Sequence, residues 1–159
     1  MVAKNPFEDG ESIRRTQAEF RLQLAVIKHL ESAFPQVMFT AFPGRPGDAQ
    51  DGWFKKIMGT KAGVADLLLW FRHPQYPKER PCSAAIELKA PGGVWASKQN
   101  LWGSAFNSIG GKYAVCRSVK QVHDALVKWG INPLHESVTE PDCRSDTEKM
   151  RDSFNFFAP

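Results

Sequence analysis

Cysteine is scarce in this 159-residue chain: Cys82, Cys116 and Cys143 are odd in number, far apart, and form no CxxC pair. That disfavours a disulfide framework or a zinc knuckle and suits a reducing compartment. The four histidines (His29, His73, His123, His135) show no metal-ligand spacing. No apolar run reaches membrane-spanning length, and residues 1–10 lack the apolar core of a secretory signal. The expectation is therefore a soluble, cytoplasmic protein with no membrane partner. No internal repeat is visible, and Gly92-Gly93 reads as a turn rather than a phosphate loop.

What is present fits a folded chain. Hydrophobic residues make up 42%, with five Trp and eleven Phe, which argues against global disorder and fits one domain with a real core. The net charge of +4 is uneven. Residues 131–159 hold three Lys/Arg against six Asp/Glu, leaving 18 basic and 11 acidic residues in 1–130. A basic body suits a polyanionic partner such as nucleic acid.

Periodicity places the elements. Phe20, Leu24, Ile27 and Phe34 recur at helical spacing within 12–34, and Pro35 stops that run. A strand is expected over Val37–Phe42, followed by a long loop over 43–62. Val64–Phe71 and Ala84–Lys89 read as an antiparallel pair joined by a proline-rich connection. A helix N-capped by Ser97 runs to Gly110-Gly111. Lys112–Arg117, apolar on both faces, reads as a central strand. Ser118-x-x-Gln121 opens a last helix that Gly130 closes. The order is α-β-β-β-α-β-α, and 131–159 reads as an acidic, loosely packed tail whose Phe154, Phe156 and Phe157 can dock on the body.

Two strands carry the chemistry. Asp66 precedes three leucines, and Glu87 lies within Ala84-Ala85-Ile86-Glu87-Leu88-Lys89. Alternation puts Glu87 and Lys89 on one face and Ile86 and Leu88 on the other. A carboxylate in an apolar run costs several kcal/mol, by order of magnitude, unless partnered, so two on neighbouring strands suggest a bound cation. A hard cation such as Mg2+ prefers oxygen ligands, which Asp66, Glu87 and the Leu88 carbonyl can supply. Lys89 beside them can orient a water or stabilise developing charge, as phosphodiester hydrolysis requires. The plainer reading of Glu87-x-Lys89 is an exposed ion pair on an edge strand.

The stretch from Gly63-Val64-Ala65-Asp66 through Ile86-Glu87-Leu88-Lys89 to Ser97-Lys98-Gln99 resembles the PD-(D/E)XK nuclease superfamily, and within it the VRR-NUC group of virus-type replication and repair nucleases. Gly111-Lys112-Tyr113-Ala114-Val115 and the upstream helix with Glu19 extend the likeness over about residues 12–130. The resemblance departs at Ala65, where the family usually has proline. It implies an α/β, restriction-endonuclease-like fold: an α-β-β-β-α-β core with a central mixed sheet flanked by helices. It also implies Asp66 and Glu87 as metal ligands, Lys89 as catalytic lysine, Glu19 as an extra acid at the metal, and Gln99 at the site's edge. Glu19 has a bland alternative, a capping box with Thr16.

The expectation is thus a nuclease domain over 1–130 and a tail over 131–159. Its activity would be Mg2+-dependent endonuclease cleavage of DNA, with Mn2+ as substitute, on flapped or branched substrates of phage replication and repair. A non-catalytic nucleic-acid-binding module with the same fold is the alternative, and an RNA-cutting enzyme a third reading. Arg45, Lys55, Lys56 and Lys61 give the long loop a basic character suited to phosphates. Trp53 and Trp95 could stack on unpaired bases. A homodimer is expected on symmetry grounds.

Overall fold

The chain runs α1 (Pro6–Ala33), β1 (Met38–Ala41), β2 (Leu67–Arg72), β3 (Pro81–Leu88), α2 (Ser97–Ser108), β4 (Lys112–Cys116) and α3 (Val119–Lys128). This computed structural model describes residues 6–42, 57, 59, 61–73, 81–94 and 96–142. The element order matches the sequence reading. The strands form one mixed sheet in the order β1-β2-β3-β4, antiparallel except for the parallel pair β3/β4. The architecture is that of an α/β, restriction-endonuclease-like core.

Strand alternation divides the sheet into two faces. Leu67, Leu69 and Phe71 of β2 join Ala84, Ile86 and Leu88 of β3 and Cys116 of β4 in the core. α1 and α3 pack there, through Leu22, Val26, Leu30 and Ala33 and through Val119, Val122 and Leu126. The buried row of α1 is therefore not the one its bulkiest residues suggest. Phe20 and Leu24 are exposed, because the helix turns the Leu22-Val26-Leu30 row toward the sheet. α2 covers the opposite face by close approach: a Cβ on Gly103 would fall 2.5 Å from the Tyr113 ring.

Several boundaries differ from expectation for local reasons. α1 runs from Pro6, so Thr16 lies within the helix rather than at its start, and the Glu19 carboxylate accepts from the Ala90 amide. β3 begins at Pro81, where a proline is tolerated because it opens the strand. The N-cap of α2 is Ala96 rather than Ser97. Ser118 caps α3 as expected by accepting from the Gln121 amide at 3.1 Å, but the Gln121 side chain accepts from the Arg117 amide instead of closing the box. β4 is an edge strand of this sheet, not a central one; its Tyr113, Ala114 and Val115 are half-buried and its Cys116 buried, covered by helices above and below.

Residues 131–142 are fixed to the body. Both Glu140 carboxylate oxygens accept from the first amides of α3, Val119 at 2.8 Å and Lys120 at 2.7 Å, neutralising the positive end of that helix. The Leu134 amide donates to the Ala33 carbonyl at 2.7 Å, and Ile131 is buried in the core. The expected tail aromatics lie outside the described residues. No described helix is long and apolar enough to cross a membrane.

Candidate active site

Asp66 sits one residue before β2, and the register that pairs Leu67 with Ile86 sets it opposite Glu87. Its backbone carbonyl accepts from the Phe42 amide at 2.7 Å, and its Oδ2 accepts from the Leu88 amide at 2.7 Å. The second bond fixes the carboxylate against β3. Burial holds the Asp66 carboxyl above its ordinary range, opposed by the Leu88 amide and by Lys89.

Glu87 is 1% exposed on a strand flanked on both sides, so the reading of an exposed edge pair fails. Its Oε1 takes two partners, the Lys89 ammonium at 2.7 Å and the Gln99 side-chain amide. Its Oε2 is buried and has no hydrogen-bond partner. Burial, helped by the nearby Asp66 charge, pushes the Glu87 carboxyl up to about 7 despite the lysine. A carboxylate oxygen left unpartnered in the interior costs roughly 1–3 kcal/mol or more, so a cation there would relieve a cost already present.

α2 brings Gln99 to this point from its first turn. The Gln99 Oε1 accepts from the Ala96 amide at 3.1 Å, which turns its amide nitrogen toward Glu87. The start of α2 is seated on Gly63, whose φ of +87° few side chains tolerate. A Cβ there would lie 2.5 Å from the Lys98 carbonyl oxygen and 3.2 Å from the Gln99 nitrogen. Gly63 thus couples the approach to Asp66 with the placement of Gln99. Sequence reading quoted Gly63 only as part of a motif and gave it no role, since its neighbour lies 35 positions away in the chain.

Glu19 reaches the same end of the sheet from α1. Its Oε1 accepts from the Ala90 amide at 3.3 Å, and its charge raises both Asp66 and Glu87. Among the described residues no three His, Cys, Asp or Glu side chains are grouped to hold a metal. Asp66 and Glu87 face each other across the strand pair, and two carboxylates offer the all-oxygen chemistry that fits a hard cation. Of the five side chains expected at the site, Asp66, Glu87, Lys89 and Gln99 meet here, while Glu19 reaches the same end of the sheet and bonds to the Ala90 amide. Trp53, Trp95, Arg45, Lys55 and Lys56 lie outside the described residues.

Other candidate groups sit elsewhere. Burial pushes the Cys116 thiol up to about 12, which makes it an inert core residue. His29 and His123 are buried between α1 and α3, joined by a 3.0 Å ring-nitrogen hydrogen bond, and act as packing groups there. A cavity of about 520 Å3 between α1 and residues 135–142 is lined by both charges, Arg21 and Lys28 with Glu140 and Asp142, and does not include Asp66 or Glu87.

The family model of the VRR-NUC domain matches residues 12–120, a span that contains every residue of this constellation. No curated protein and no solved structure matches the chain significantly. With the mixed four-stranded sheet and the Asp66–Glu87–Lys89 cluster in place, the match is decisive: the chain belongs to the VRR-NUC family of PD-(D/E)XK-type nucleases.

Proposed function

We propose that this nuclease domain is a Mg2+-dependent endonuclease that hydrolyses phosphodiester bonds in DNA. The observation that supports it most is the buried, unpartnered Oε2 of Glu87 opposite Asp66. Mg2+, or Mn2+ in its place, would be held by Asp66, Glu87 and the Leu88 carbonyl, and when bound it supplies Lewis-acid charge at the scissile phosphate. Lys89 and Gln99 fix the Glu87 carboxylate by its Oε1 and keep its Oε2 directed away from them. The Lys89 ammonium, 13% exposed, stands where it can position a water and stabilise negative charge developing on the phosphate. Glu19 holds the Ala90 turn and adds negative potential that favours a cation. A second copy completes a two-strand cutter in this reading. Leu101 of α2 and Ile109 just after it are exposed at 71% and 81% and would give that copy apolar contacts within an otherwise polar, acid-free helix face.

The test uses labelled single-stranded, duplex, flap and four-way-junction DNA with Mg2+, Mn2+ or EDTA. Cleavage in either metal and none in EDTA is expected, with the preferred substrate naming the DNA structure. Salt-sensitive binding without cleavage in any condition would establish the binding module instead.

A further inference from the structure

The parallel pairing of β3 and β4 carries a second cation to the site. Glu87 pairs with Val115 and Leu88 with Cys116, and the Lys89 amide continues the ladder by donating to the Cys116 carbonyl at 3.0 Å. Cys116 and Leu88 both point into the core. The next residues, Lys89 and Arg117, therefore stand side by side at the carboxyl ends of the two strands, on the face that holds Glu87. Neighbouring strands lie about 4.8 Å apart, so the two cations flank one opening.

Arg117 is exposed and acid-free in its immediate bonding. Its Nη2 donates to the Gly93 carbonyl at 3.0 Å, and its backbone amide donates to Gln121 at 2.7 Å. No carboxylate is among these partners. A guanidinium has five donors in a rigid fork, and the Gly93 bond aims that fork while using one of them. The same turn is tied at its other end, where Glu19 accepts from the Ala90 amide, and is closed by the Gly93 amide donating to Ala90 at 2.9 Å. The arginine is thus held in place on a braced turn, with donors left over, next to the lysine of the site.

We infer that Arg117 is a DNA-binding residue that grips a backbone phosphate beside the one being cut. This rests on the reading of Asp66, Glu87 and Lys89 as a DNA site. Arg117 sets the register of the strand across the carboxylates, and Lys89 acts at the scissile bond.

The test measures binding of a short labelled duplex in EDTA between about 50 and 200 mM salt, the range in which phosphate contacts are most visible. Arg117→Gln is expected to weaken binding several-fold and to lower the salt slope by about 0.9, the loss of one phosphate contact. Arg117→Lys should restore most of the slope, since a lysine still neutralises a phosphate. Lys120→Gln, which removes an exposed lysine already paired to Asp124 at 2.8 Å, serves as the control and should leave the slope in place. Phenylglyoxal labelling of Arg117 in wild type, read by peptide mass, should fall when DNA is bound. An unchanged slope in Arg117→Gln, an equal loss in Lys120→Gln, or equal labelling with and without DNA would overturn the inference. Cleavage is scored in parallel. A wild type that binds and protects Arg117 yet never cuts would remove the catalytic reading and leave this one standing, whereas a wild type that binds no DNA would remove both.

Discussion

Replacing Gly63 with alanine tests whether the approach to Asp66 and the start of α2 are one mechanical unit. Two costs are expected. The first is backbone strain, because an alanine at φ +87° sits in the left-handed region, at about 1–2 kcal/mol. The second is steric, because the new Cβ would stand 2.5 Å from the Lys98 carbonyl oxygen, a backbone atom that cannot swing aside. Overpacking of this kind typically costs about 1–3 kcal/mol. Gly110 separates the two, since its φ is +90° and nothing lies within 4 Å of the Cβ position. Gly110→Ala should lose only the strain share. Gly63→Ala should lose roughly 2–5 kcal/mol, and at about 2–4 °C per kcal/mol for a chain of this size its melting temperature should fall clearly further. Urea denaturation of both variants in EDTA gives the free energies, and metal-dependent cleavage gives the consequence for the site. Gly63→Ala should lose activity out of proportion to its stability at the assay temperature, because the displaced backbone carries Gln99. Equal destabilisation by the two substitutions would refute the close contact and with it the coupling.

The raised Glu87 carboxyl makes a pH prediction for the metal-free protein. Its folded value of about 7 lies above its ordinary 4.5, so the stability it contributes is present below 4.5 and lost as pH rises to 7. Glu87→Gln removes this dependence, so the stability of the variant relative to wild type, measured in EDTA, should grow by roughly 3 kcal/mol across that window; a flat difference would contradict the burial account. Added Mg2+ should stabilise wild type by linkage, about 2.7 kcal/mol at a hundred times Kd, and should leave Asp66→Ala unmoved; identical melting curves for the two would remove the metal site.

The central carboxylates were legible because burying charge in an apolar strand demands a reason. Asp66 ahead of three leucines and Glu87 between Ile86 and Leu88 announced a partner, and the structure supplies Leu88 for one and Lys89 with Gln99 for the other. Gln99 itself carried no such signal and was found only through resemblance; its bond to Glu87 depends on how α2 docks. The docking was illegible in turn, because Gly63 and Gly103 matter for atoms they approach across the fold. β4 misled because apolar residues on both faces mark a strand covered on both faces, and helices do that for an edge strand as well. α1 misled because its exposed Phe20 and Leu24 are as apolar as the Leu22-Val26-Leu30-Ala33 row that packs, and only docking on the sheet chooses between the two stripes. Arg117 went unnoticed because its place beside Lys89 comes from parallel register, which local pattern does not encode.

The most direct measurement is single-turnover cleavage of the preferred DNA by wild type and Lys89→Ala, in Mg2+ and in EDTA, with DNA binding measured alongside. Removing a group that stabilises charge only in the transition state typically costs about 100–1000-fold in rate. The account predicts a loss of that order in Lys89→Ala with binding largely kept, and no cleavage by either protein in EDTA. Cleavage by Lys89→Ala at the wild-type rate, or undiminished wild-type cleavage in EDTA, would contradict it.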